Sequence, residues 1–427
     1  MAPRRFLLAV LGFLIAFGLL IAATNALIDP YMLFDRPRIA GFNAIKPAVE
    51  SREAMMKSHQ ASRVTPRTVI LGSSRSDIGL NPASAAWPAS MQPVYNLSTV
   101  GADLATNLKF LKHLLANGRA QPRTLVVGLD FESFLLEPAN AASTAQAEQP
   151  SSTDDAGPFN GARDLLASTL TLDALEDSLS TLWANHRNSV TLDLQADGRL
   201  TEGHLRRWTA ADGVALLFEQ KNRLTVRRYQ MPRHVLSHDP AVPVRDFEGL
   251  DALLSLAQAH NIDLVLLVQP AHASRLEMLD ALGYWPDYEL WKRELARWGA
   301  DMRDRGARVT VWDFGGYEST TTEVVPKLGD RQTRLKWFWD PVHYSTSLGD
   351  LLVTTVTAAG QSGSQRRADD ASPYASHLPL TPDNLEARLA QVRMDRDHFR
   401  AAHGAQVAEW RLLACNGAAC RPSIATR

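Results

Sequence analysis

The chain has 427 residues, of which 45% are hydrophobic and 21% charged, with 25 glycines and 23 prolines; this composition excludes a disordered, collagen-like or coiled-coil chain over most of its length. With 45 basic side chains against 46 acidic ones the net charge is −1, so the basic excess that binds a phosphate backbone is missing and no nucleic-acid partner is expected. Two cysteines are too few for a disulfide scaffold or a zinc site of their own.

Arg4 and Arg5 precede a run from Phe6 to Ala23 without a polar side chain, which reaches Ile28 if Thr24 and Asn25 are tolerated. A helix of that length, rising about 1.5 Å per residue, crosses a hydrocarbon core of roughly 30 Å. Residues 1–30 therefore read as one transmembrane signal anchor; a signal peptide cleaved within Ala22–Ala26 is the alternative. The two arginines before the span, with no comparable cluster just after it, predict a cytoplasmic N-terminus in the inner membrane and a periplasmic main domain.

A turn-rich exit through Asp29-Pro30-Tyr31 and Asp35-Arg36-Pro37 leads to a predicted helix over 48–63. The β-branched run 67–72 reads as a strand, followed by a strand at 93–97, a helix at 101–117 carrying Leu104, Leu108, Leu111 and Leu115, and a strand at 123–128. Strand and helix alternate as in a parallel α/β sheet. The pattern is interrupted from 138 to 244. A loop at 138–158 is rich in Ala, Ser, Thr, Gln and Pro. A helix at 159–183, a hairpin at 190–200 around Asp197-Gly198 and a helix at 209–229 complete an inserted, mainly helical cap expected to face substrate. Alternation resumes with a helix at 246–260, a strand at 263–268, a helix at 288–305, a strand at 308–313 and a helix at 345–359. The α/β domain thus spans 31–360, and 361–427 is a flexible segment plus a last helix that begins at Thr381-Pro382, an N-cap and first-turn pair, and runs to about Leu413. In an export compartment Cys415 and Cys420 are expected to pair; two free thiols are the alternative.

Leu71-Gly72-Ser73-Ser74-Arg75 places a serine directly after an apolar strand and a glycine, at the carboxyl edge of the sheet where open α/β folds bind their ligands. A serine hydroxyl is a weak nucleophile and needs a base held by a carboxylate. Trp339-Asp340-Pro341-Val342-His343-Tyr344 offers such a pair on one turn. In this order the blocks resemble those of the SGNH/GDSL hydrolase superfamily, whose first block is strand-Gly-Asp-Ser and whose last is Asp-x-x-His. The resemblance covers 67–128 and 263–352. Gly72-Ser73-Ser74 has serine in place of the aspartate, similar to the membrane-anchored branch that includes the D-alanyl transfer proteins of teichoic acid systems and, more distantly, alginate acetylation proteins.

The resemblance implies a three-layer α/β/α, flavodoxin-like domain, with Ser74 as nucleophile, His343 as base and Asp340 as its orienter. It also implies an oxyanion hole built from Ser74, Gly101 and the asparagine of a Gly-x-Asn block. In this chain that block is Gly128-Leu129-Asp130. An ionised carboxylate beside a developing oxyanion raises the barrier, so Asp130 points elsewhere, is protonated by burial, or weakens the site. Gly101 reads equally as a helix-start glycine. Arg75 is expected to bind an anionic group of substrate or to pair with Asp77. His272, after a core strand in Gln269-Pro270-Ala271-His272, is expected to contact substrate or to serve structurally. Asn96-Leu97-Ser98 spells a glycosylation sequon but falls on the predicted sheet edge. The sequence has no phosphate loop, no His-Glu-x-x-His and no paired Cys-x-x-Cys, so neither a metal nor a cofactor is expected.

The expectation is a membrane-anchored serine esterase or O-acyltransferase acting on acyl esters of an envelope or exported polysaccharide. Its expected partners are the inner membrane, an acyl donor or acyl-bearing glycan, and a membrane acyltransferase. The rival expectation is a binding or assembly protein of the envelope whose hydrolase-like site has decayed at Asp130.

Overall fold

Five apolar runs become strands: β1 (Thr68–Leu71), β2 (Val94–Asn96), β3 (Thr124–Leu129), β4 (Asp263–Val268) and β5 (Val309–Asp313). They form one wholly parallel sheet in the order β2-β1-β3-β4-β5. Strands covered on both faces are apolar throughout rather than alternating, and all four residues of β1 are buried. In the sheet register Leu71 faces Val127, Val127 faces Leu266, and Val268 faces Asp313, which aligns the carboxyl ends of four strands along one edge. The computed structural model describes residues 2–61, 63–116, 120–138, 161–189, 191–245, 247–358 and 372–415.

The first helices are α1 (Ala2–Ile28), α2 (Val49–Ala61), α3 (Ser74–Gly79) and α4 (Leu104–Ala116). The stretch Pro3–Ile28 of α1 is long and apolar enough to cross a membrane. Most of α1 is exposed, but Ile21, Asn25 and Ile28 are buried against the rest of the protein. The end of α1 is held firmly. Lys46 Nζ donates to the carbonyls of Ile28 and Asp29 at 2.8 and 2.6 Å, meeting the negative end of the helix dipole. The Asp29 carboxylate in turn accepts from the N–H groups of Leu33 and Phe34 at 2.7 and 3.1 Å.

The insertion contains α5 (Gly161–Leu170), α6 (Leu172–Arg187), α7 (Gly203–Asp212) and α8 (Val214–Tyr229). Two predicted helices are each split in two. Thr171 ends the first and caps α6, accepting from Ala174 N at 3.2 Å. Gly213, at φ +86°, breaks the second, and a Cβ there would lie 2.4 Å from the Asp330 carbonyl. The insertion is also not a single cap. α5 and α6 pack on α1, whereas α8 packs on α7 and on the helices that follow β4 and end the chain. Between them an antiparallel bridge pairs Leu194 with Leu200, and this hairpin docks on the edge strand through Asn96 N–H to Asp197 O at 2.9 Å.

The remaining helices are α9 (Phe247–Ala259), α10 (Ala273–Ala281), α11 (Trp285–Asp304), α12 (Thr346–Ala358), α13 (Pro382–Ala402) and α14 (Gly404–Cys415). Right-handed crossovers put α4, α9 and α11 on one face of the sheet and α3 and α12 on the other; in agreement, α4 packs on α9 and α3 on α12. The predicted last helix is two helices with a break at His403. Thr381 and Asn384 form a capping box at the start of α13. α14 folds back onto α10, where Arg400 and Arg411 converge on Glu277 and Asp280 at 2.5 to 3.3 Å. Tyr374, within the segment predicted to be flexible, is fully buried and hydrogen-bonds Thr320 at 2.7 Å. Residues 361–371 of that segment, residues 139–158 of the predicted loop, and Cys420 of the expected Cys415–Cys420 pair lie outside the described residues.

Candidate active site

Ser74 is delivered by the abrupt end of β1. Gly72 has φ +152°, and a Cβ there would lie 2.4 Å from Ser76 Oγ; a Cβ on Gly128 of β3 would lie 2.0 Å from the same atom. Glycine at both positions lets β1 and β3 close around Ser76. Ser73 is the N-cap of α3 and accepts from Arg75 N at 3.3 Å, so Ser74 is the first helical residue and its N–H has no acceptor within the helix. Asn107 Oδ1 holds Gly72 N at 3.2 Å, and Asn96 Nδ2 donates to the Ser76 and Leu80 carbonyls at 3.0 Å at the far end of α3. That task, with full burial, removes Asn96 from the surface where its sequon would be used.

The partner loop is a small antiparallel hairpin in which Trp339 N bonds His343 O at 2.9 Å and Ser345 N bonds Trp337 O at 2.8 Å. At its tip Asp340 Oδ1 accepts from Val342 N and His343 N at 2.8 and 2.9 Å, an Asx-type turn that aims both side chains the same way. Asp340 Oδ2 lies 2.6 Å from His343 Nδ1, and His343 Nε2 lies 2.9 Å from Ser74 Oγ. Close packing brings the loop this near: a Cβ on Gly79 of α3 would meet the Tyr344 ring at 2.0 Å, and one on Gly349 of α12 would meet the Gly79 carbonyl at 1.9 Å. Burial opposes ionisation of Asp340, but the imidazole beside it, the Lys221 ammonium and the turn N–H hold its carboxyl well below the usual carboxylate range. An ionised Asp340 keeps the imidazole proton on Nδ1 and leaves Nε2 free to accept the serine proton.

The other side of Ser74 differs. Asp130, directly after β3, accepts from Ser73 Oγ, from Arg75 Nη1 at 2.6 Å and from Gln269 Nε2 at 2.9 Å. Its charge is thus paired, and it acts as an acceptor, unlike the asparagine amide that the resemblance places there. Arg75 is buried, bonds the Pro270 carbonyl at 2.6 Å, and pairs with Asp130 rather than with Asp77. Asp77 is taken by buried Lys57 at 2.7 Å. With its guanidinium committed to Asp130 and backbone carbonyls, Arg75 serves the fold of the site and not an anionic substrate.

His272 does not face the site. It is fully buried and caps α10, with Nδ1 at 3.1 Å from Ser274 Oγ and Nε2 at 2.8 Å from the Glu323 carbonyl. Burial pushes it down to about 4. Its contribution is positional, because its backbone N–H holds the Pro341 carbonyl at 3.1 Å and so steadies the Asp340–His343 turn. Gly101 is exposed in the turn after β2 at φ +71°. That turn is tied to the nucleophile loop by Thr99 N to Gly72 O at 3.3 Å.

Two residues escape the sequence reading. Gln269, directly after β4, accepts from Ser76 Oγ at 3.0 Å and Tyr344 Oη at 2.9 Å while donating to Asp130. One amide thus links the nucleophile helix, the histidine loop and β3; its place at a strand's carboxyl end is the only signal in the sequence. His204 of α7 is buried and is pushed down to about 4 by burial and by His343. α7 reaches the histidine loop through Arg206 over the Trp339 ring at 5.3 Å, and Glu202, just before α7, accepts from Thr346 Oγ1 at the start of α12 at 2.9 Å.

Ser74, His343 and Asp340, 269 and three residues apart in sequence, therefore form one hydrogen-bonded chain at the carboxyl edge of the sheet, an arrangement able to activate a hydroxyl for attack on an ester carbonyl. Comparison with protein-family models finds no match to the chain, and comparison with curated proteins finds none either.

Proposed function

We propose that the protein is a membrane-tethered serine esterase or O-acyltransferase of the SGNH type. The observation that carries this reading is the Ser74–His343–Asp340 chain at 2.9 and 2.6 Å. The strand order β2-β1-β3-β4-β5, which is that of flavodoxin-like sheets, supports it as well. His343 takes the proton of Ser74 as its oxygen attacks the ester carbonyl, and Asp340 stabilises the imidazolium. His343 then returns the proton to the leaving alcohol, and water or an acceptor hydroxyl releases the acyl group. The Ser74 N–H at the start of α3 supplies one donor to the oxyanion, and Gly101 a second.

Envelope or exported polysaccharide as the substrate, and an outward-facing domain, rest on the family resemblance and on α1 with the two arginines in its first turn. The second reading, an assembly protein with a weakened site, is favoured by the acceptor-only environment of Asp130. A serine-directed fluorophosphonate probe separates the two. Labelling at Ser74, abolished in Ser74→Ala, is expected; an unlabelled wild type establishes the second reading. Mass spectrometry of products from an acyl donor and envelope oligosaccharides then distinguishes transfer from hydrolysis, since free acid alone identifies a hydrolase.

A further inference from the structure

α6 is built inside out. Its buried positions are Ala174, Ser178, Thr181, Ala184 and Asn185, while Leu172, Leu179 and Trp183 are 67%, 57% and 58% exposed. At about 100° per residue these three exposed side chains fall within about 40° of one another, opposite Ser178 and Thr181. α5 repeats the arrangement: Ser168 is buried, and Leu165, Leu166 and Leu170 are exposed. A surface helix in water presents the reverse pattern, and contiguous exposed apolar surface marks a contact.

The inward side chains have specific partners. Ser178 Oγ donates to Asn25 Oδ1 of α1 at 2.8 Å, and Asn25 Nδ2 donates to the Thr169 carbonyl at 3.0 Å. Asn185 Nδ2 donates to the Ile45 carbonyl at 2.8 Å and its Oδ1 accepts from Ile45 N at 2.9 Å. Small residues at the contact, bridged by side-chain hydrogen bonds, are the way helices pack in lipid. Through Asn25 both helices pack on α1, whose Leu19, Leu20 and Leu27 are themselves exposed, while Asn185 is tied to Ile45 in the segment that follows it.

We infer that the α5–α6 hairpin is a second membrane element, lying in the lipid beside the C-terminal third of α1 with its outward leucines and Trp183 set among the acyl chains. The inference rests on reading α1 as a membrane span. The charged residues define the depth. Glu176 is exposed near the apolar stripe, and the Arg187 guanidinium lies 4.3 Å from the Trp183 ring centroid. An arginine over an interfacial tryptophan and a carboxylate at the margin place the hairpin at the headgroup boundary, in the plane of the membrane, and not across it. Lipid is the occupant favoured over a protein because the apolar face adjoins the exposed flank of α1.

The test uses the full chain in vesicles of phosphatidylethanolamine and phosphatidylglycerol. Trp183 is the only tryptophan in α1, α5 and α6, so lipids brominated on the acyl chain should quench part of the emission, and Trp183→Phe should abolish most of that quenching. Equal quenching in the variant overturns the inference. Photo-crosslinking with an acyl-chain diazirine lipid gives a second readout. Labelled peptides from both α1 and residues 165–183 are expected. Labelling confined to α1 leaves the anchor intact but assigns the α5–α6 face to a protein partner, overturning the inference. Labelling of neither removes the membrane reading itself, and the inference with it.

Discussion

Ser73 and Ser74 are neighbours in the chain and look toward different carboxylates. Ser74 reaches Asp340 through an imidazole; Ser73 bonds Asp130 directly, and Asp130 holds the Arg75 guanidinium. On the first side a nitrogen remains that can accept a proton and later return it. On the second the charges neutralise one another and nothing can relay a proton, because a guanidinium does not titrate in this range. Proximity of a serine to a carboxylate is therefore no measure of catalytic capacity. The group standing between them decides it.

The contrast has measurable consequences. Ser74→Ala should lower kcat/KM on a p-nitrophenyl ester by about 10⁴-fold, and adding His343→Ala should cost little more, since the members act as a unit. Ser73→Ala should stay within about tenfold of wild type; equal losses would erase the distinction between the two sides. Next in size is the buried pair. Arg75→Ala strands Asp130, and Asp130→Ala strands Arg75, each costing about 3–5 kcal/mol of stability, read as a fall in the urea midpoint. An Arg75→Ala protein of normal midpoint but without activity would instead move Arg75 to the reacting side.

The histidines extend the comparison to pH. His272 is buried and its folded value is pushed down to about 4, against about 6.5 unfolded. As pH falls, the unfolded chain takes the proton first. The stability present above about pH 6.5 is therefore lost between there and about 4, by about 3 kcal/mol. His272→Gln should flatten this decline in thermal midpoint against pH; an unchanged slope would contradict a buried neutral imidazole. The smallest expected effect is on the cap of α3, where Ser73→Ala should cost about 1 kcal/mol in the same urea measurement.

What could be read from the sequence follows the range of each interaction. β1 to β5 are legible because strands covered on both faces leave uninterrupted apolar runs. Asp340 and His343 are legible because they stand three positions apart on one turn. The Arg75–Asp130 pair spans 55 positions, and Asp77, two residues from Arg75, is the nearer partner in sequence; only the register of β1 against β3 favours Asp130. The breaks at Thr171 and Gly213 are concealed because apolar residues recur at helical spacing across both. In α6 the leucine spacing identifies an apolar face but not which medium it meets. That is fixed by Asn25 and Ile45, more than 130 residues away, which take up the polar side.

The clamp at the end of α1 bears on where the site can work. Many tethered enzymes hang from a slack linker and sweep a volume whose radius grows with linker length. Here Lys46 closes the last turn of α1, Asp29 pins the residues that follow, and Asn25 is bonded into α5 and α6, so the helix passes into the folded domain without a hinge. If α1 crosses a bilayer, Ser74 stands at one height and one tilt above it. Under the proposed function such a protein cannot reach for its substrate; an ester-bearing chain must be brought to that level, as a growing chain is when it emerges beside it.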